Sequence, residues 1–209
     1  MTERSTQAAR PVLDVLRAVS SALLLAGGLL MVVATVAIIV EIAMRQMFNA
    51  SLGGVDELAG FALAVGTSWS FGSVLFDKAH VRIDTLYRRM GERNRALFDI
   101  VGLVGTAIFA GTLLIFAVEV VQSSMRFGAT SQSSLAIPVA LPQALWLGGL
   151  AWFLVVTLAL LVASLNAVRK RNWREVGQIA GTRGLNDEIR AELEDSGSRL
   201  GDLQRETGK

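Results

Sequence analysis

Four stretches of this chain run without a charged residue for longer than a soluble fold readily accommodates. Ala18 to Val40 is 23 residues, Leu58 to Phe76 is 19, Ile100 to Val118 is 19, and Gly128 to Val168 is 41. At 1.5 Å per helical residue, 19 to 23 residues reach about 29 to 35 Å, against a bilayer hydrocarbon core of about 30 Å. A helix on a soluble core would show a polar stripe at helical period, and these runs show none. The chain is also 52% hydrophobic and only 18% charged, which is too apolar for an ordinary soluble domain. The expected fold is an all-α membrane protein with four transmembrane helices, at about 18–42, 57–76, 96–119 and 142–168. A short segment, 1–17, precedes this membrane domain of 18–168, and a polar tail, 169–209, follows it. The first run is too long for the apolar region of a signal peptide, so it is expected to be retained.

Charge placement sets the expected orientation. Three Lys/Arg residues precede Ala18, six lie between Lys78 and Arg95, and nine lie between Arg169 and Lys209, whereas Arg45 and Arg126 stand alone between the other runs. Basic residues collect on the cytoplasmic side, so both termini and the central connector are expected there. In that connector Ile83, Leu86, Tyr87 and Met90 recur at i, i+3, i+4 and i+7, with Arg82, Arg88 and Arg89 off that stripe. The spacing predicts a short amphipathic helix lying in the inner interface, its arginines among anionic lipid headgroups. A solvated connector that merely orients the chain is the plainer alternative.

The chemistry available is narrow. There is no cysteine, which removes disulfides, thiolate metal sites and cysteine nucleophiles. His80 is the single histidine, with only Asp77 and Asp84 nearby, so a metal site is not expected and a structural hydrogen bond is. No phosphate loop, nucleophile elbow or paired-carboxylate catalytic site is recognisable, and no catalytic residue, cofactor or nucleic-acid partner is expected. The middles of the four runs hold no ionisable group, whereas carriers and pumps usually place such groups there. Glu41, Asp56, Glu57 and Glu119 stand at the outer edges, with Glu41 and Arg45 spaced to pair along a helix. Gly60, Ala64, Ser68 and Gly72 follow each other at i+4 on the second run, with Ala62, Gly66 and Ser70 beside them. Small residues let helices approach closely in lipid, so this run is expected at the centre of the bundle. The third and fourth runs offer Gly102, Thr106 and Ala110, and Ala144 and Gly148.

The stretches "EIAMRQMFNASLGGVDELAGF", "FDKAHVRIDTL" and "SSLAIP", in that order, resemble the small permease subunit of tripartite ATP-independent periplasmic (TRAP) transporters, the DctQ-like family. The family's Arg-aromatic-Asn end to helix one is matched by Arg45, Phe48 and Asn49, and its acidic pair by Asp56 and Glu57. His80, Val81, Ile83 and Asp84 match the element after helix two, and Leu135, Ile137 and Pro138 the one before helix four. The likeness spans roughly 15–165. Val65 stands where members often carry Trp, Ser70 near a usual Gly, and Asp56 where Glu is usual. The resemblance implies a subunit of a sodium-coupled importer of an organic acid in the bacterial inner membrane. It implies two partners, a large permease subunit (DctM-like) and a periplasmic substrate-binding protein (DctP-like). This chain would be the scaffold for the first and part of the docking surface for the second. Candidate contact residues are then Arg45, Asn49, Asp56, Glu57, His80, Asp84 and Pro138. A structural or signalling four-span protein would share the topology but has no need of these elements.

Overall fold

The computed structural model describes residues 4–77 and 90–180. These form α1 (Arg4–Phe48), α2 (Val55–Phe76), α3 (Glu92–Phe127), α4 (Ala140–Arg169) and α5 (Trp173–Ala180). No strand occurs among the described residues, only an isolated antiparallel bridge between Thr130 and Pro138. Four helices are long and apolar enough to cross a membrane: the α1 segment Pro11–Phe48, α2, α3 and α4. The expected all-helical, four-span architecture is therefore present. The interfacial helix expected near Arg82–Met90, with His80 and Asp84, falls outside the described residues.

The helices outrun the uncharged stretches because backbone caps, not charge, end them. α1 stops at Asn49, which takes a left-handed conformation with φ 51°. Asn is one of the few non-glycine residues that adopts this geometry at low cost. α3 stops at Gly128 with φ 57°, its N–H bonded to the Met125 carbonyl and that of Ala129 to Ser124. That pair of bonds satisfies carbonyls a helix end would otherwise leave open.

The helices meet along seams with a seven-residue repeat. On α1, Leu13, Ser20, Gly27, Ala34 and Glu41 lie seven apart and are its inward-facing column. Ala96, Leu103, Ala110 and Ala117 form the buried column of α3, and Phe153, Leu160 and Ala167 one column of α4. Seven residues turn a helix almost two whole revolutions, so such a column stays on one face, as in left-handed coiled-coil packing. A column at i+4 instead rotates about 40° per step. This explains how α2 uses its small residues. Ser68 and Gly72 are buried, whereas Gly60 and Ala64, earlier in the same column, face outward. Gly66, in the neighbouring column, makes a close crossing with α1: a Cβ there would lie 2.9 Å from the Gly27 carbonyl oxygen. On α4 it is Gly149, not Gly148, that meets α2; a Cβ on it would sit 2.7 Å from Trp69 Cδ1.

α2 sits between α1 and α4, and α3 lies along another flank of α4. Leu75 and Phe76 of α2, Leu103 and Ala110 of α3, and Phe153, Val156 and Leu160 of α4 share one core cluster. Two indole hydrogen bonds cross between helices: Trp69 Nε1 donates to the Leu145 carbonyl at 3.0 Å, and Trp152 Nε1 to Ser20 Oγ at 3.0 Å. A polar group in lipid must find its partner within the protein, so these bonds fix helix register as well as proximity.

The polar tail expected from residue 169 begins with structure. α5 folds back against α3 and α4, with Val176 fully buried beside Ala96 and Ala167. Arg93 stacks its guanidinium over the Trp173 ring at 5.7 Å.

Candidate partner-docking cap

The α1–α2 and α3–α4 connections lie at the same end of the bundle, and two carboxylates organise them. Glu41 is the last member of the α1 seam column and is buried. Its Oε1 accepts from Arg45 at 3.0 Å and from Ser51 Oγ at 2.5 Å, and its Oε2 from the Leu52 N–H at 2.8 Å. The i, i+4 pair with Arg45 was legible in the sequence. The loop donors were not, because Ser51 and Leu52 reach Glu41 only once the chain has reversed at Asn49. One carboxylate thus ties the end of α1 to the start of the next span, and ionised oxygens make the stronger hydrogen bonds.

Glu57 does the same for the other connection. It opens α2, yet its Oε1 accepts from the N–H of Gln132 at 3.3 Å, beside the Ser131 and Ser133 hydroxyls, which bond to each other at 3.0 Å. The loop that supplies them is a compact hairpin. Ser131 N–H donates to the Ile137 carbonyl at 2.8 Å and Val139 N–H to that of Ala129 at 3.0 Å, which flanks the Thr130–Pro138 bridge. Pro138, lacking an N–H, sits where the ladder needs none from it, just ahead of α4.

Glycines let the two connections touch. Gly53 and Gly54 have φ 66° and 89°, a region closed to most side chains. A Cβ on Gly53 would lie 2.5 Å from Ser134 Oγ, and one on Gly54 2.8 Å from both Leu135 Cδ1 and Ser133 Oγ. "SLGG" therefore seats directly on "SSL", two pieces of chain about eighty residues apart.

The cap gathers Arg45, Asn49, Asp56, Glu57 and Pro138 at one end, each with a different job. Asn49 supplies the turn, Glu57 and Pro138 shape the hairpin, and Arg45 leans on Glu41 while remaining 59% exposed. Asp56 is exposed and takes none of this network's donors. Glu41 and Glu57 are already engaged by donors, and no group of His, Cys, Asp and Glu that could hold a metal ion occurs among the described residues. The arrangement presents a shaped, charged surface. Ser131, Ser133 and the Gly53–Gly54 pair are cap residues that sequence reasoning did not single out. Only the double glycine carried a local signal, that of a turn. Asp99, 1% exposed in the seam column neighbouring Ala96 and Leu103, was likewise missed.

We find no match to the chain among curated proteins or solved structures. The family profile described as "Tripartite ATP-independent periplasmic transporters, DctQ component" matches residues 34–167. That interval starts on the α1 seam, takes in both halves of the cap and ends on the α4 seam. The chain belongs to the DctQ family, the small membrane subunits of TRAP transporters.

Proposed function

We propose that this chain is the scaffold on which a large DctM-like permease subunit assembles, and that its cap is part of the docking surface for a periplasmic DctP-like binding protein. In this reading both termini are cytoplasmic, the cap faces the periplasm of a bacterial inner membrane, and the assembled system imports an organic acid with sodium. The observation that carries it is the cap itself. Glu41 ties down one loop, Glu57 reaches across to the other, and the two loops seat on each other at Gly53 and Gly54, leaving Asp56 and the outer side of Arg45 as an exposed charged rim. A rigid rim of this kind changes association rate and salt dependence more than it changes chemistry. In this reading the ion and the substrate pass through the partner.

Asp56 separates docking from folding, because it is exposed while Glu57 holds the hairpin. Asp56→Lys at matched complex levels is expected to lower uptake of several organic acids by a common factor, with a loss that shrinks at high salt. A changed rank order among the accepted acids would mean that this subunit lines the substrate path, contrary to the proposal.

A further inference from the structure

α3 has two faces, and only one of them is used within the chain. Opposite the Ala96–Ala117 seam the same seven-residue spacing recurs in Phe98, Gly105, Thr112 and Glu119, flanked by Val101, Ile108 and Ile115. Those three flanking residues are 67%, 66% and 63% exposed. A Cβ on Gly105 would meet nothing within 4 Å, and the Thr112 hydroxyl turns back to the Ile108 carbonyl at 2.9 Å. The column ends in Glu119, which is exposed and meets no hydrogen-bond donor or cation among the described residues.

Height makes that carboxylate costly. α3 and α4 run antiparallel with Ala96 against Ala167, which sets Glu119 about level with Ala144. α4 runs parallel to α2 with Gly149 against the Ser68 backbone, so Ala144 stands about level with Leu63. Glu119 therefore lies inside the uncharged stretch of α2, about six residues or roughly 9 Å below its acidic start at Glu57. From the sequence it was expected at the outer edge. An acid at this depth on an apolar helix face is unfavourable unless a donor meets it.

The chain already shows how such a column is completed. On α1, Gly27, Ala34 and Glu41 have the spacing of Gly105, Thr112 and Glu119, and there the small residues face another helix while the glutamate takes donors from outside its own helix. We infer that the Gly105–Thr112–Glu119 face of α3 is the seat of a transmembrane helix from the large permease subunit, one that brings a Lys, Arg or hydroxyl donor to Glu119. The inference rests on the assembly proposed above and gives it a surface. The complementary charge, not the apolar area, selects this occupant over lipid.

The test uses the tagged full chain, which has no cysteine, co-expressed with its permease partner. Failure of the wild-type chain to bring down a large permease would end the assembly reading and this surface with it. Given capture, Glu119→Ala and Gly105→Leu are expected to cut the yield of complex roughly threefold to tenfold, as loss of one interhelical hydrogen bond or one close approach would. Both positions are open within the chain, so the melting temperature of the isolated subunit should not fall. A nitroxide on Ile108→Cys should lose contact with lipid-dissolved oxygen on assembly, while one on Leu29→Cys of α1 should not. Wild-type yields from both variants, or an Ile108 probe as lipid-exposed in the complex as in the free subunit, would overturn the inference while leaving assembly intact. So would labelling of Glu119→Cys in the complex by a membrane-impermeant reagent, since that would place the residue in water.

Discussion

At the scale of single residues, the acids of this protein divide by what they touch. Glu41 and Glu57 sit among donors and act as tie points, whereas Asp56 and Glu119 are exposed. The difference predicts opposite phenotypes from the same substitution. Glu41→Ala leaves the Leu52 N–H and the Ser51 hydroxyl without their acceptor, and should lower the melting temperature of the purified subunit and expose the 49–54 turn to protease. Glu41→Gln keeps an acceptor oxygen and should fall between wild type and alanine. Asp56→Ala should leave both readouts unchanged. A protease-resistant Glu41→Ala turn would show that the glycines and Asn49 hold the connection without the carboxylate.

At the scale of the helices, the seam rather than the stripe decides which small residues matter. Gly66 faces the Gly27 carbonyl oxygen across a crossing with no room for a side chain, and Gly60 faces open space on the same helix. Gly66→Leu must push α1 and α2 apart, a class of overpacking that costs about 1–3 kcal/mol. Gly60→Leu replaces the poorest ordinary helix former after proline with a good one and should be neutral or stabilising for the isolated subunit, by up to about 1 kcal/mol. Thermal unfolding of the two variants in the same detergent separates them, and equal losses would contradict the crossing. The uncharged stretches could not rank these glycines, because both belong to columns of small residues at i+4.

At the scale of the whole molecule, the packing order is α1 on α2, α2 on α4, and α4 on α3, with α5 closing the end opposite the cap. That order leaves α1 and α3 with broad apolar faces, the expected condition of a chain that meets lipid and a partner instead of water. The proposed orientation has a direct check. Gln132 is exposed on the cap hairpin and Arg169 is exposed at the opposite end. In intact cells a membrane-impermeant thiol reagent should modify Gln132→Cys and spare Arg169→Cys until the membrane is opened. The reverse pattern would invert the topology and put the cap in the cytoplasm.

The number of spans and the all-helical class were legible in the sequence, because a backbone in hydrocarbon must satisfy its own hydrogen bonds and a helix does so locally. The Glu41–Arg45 pair and the acidic start of α2 were legible too, since each depends on neighbours within a few residues. Other features came only from the tertiary structure. The choice of Gly66 over Gly60 and of Gly149 over Gly148 depends on how helices rotate about their axes when they dock. The partners of Glu57 lie some seventy-five residues away, and the depth of Glu119 depends on how α3 slides along α4. Rotation and sliding leave the apolar content of a lipid-embedded helix almost unchanged, so hydropathy carries no record of them. Close contacts between small residues and a few buried hydrogen bonds decide them instead.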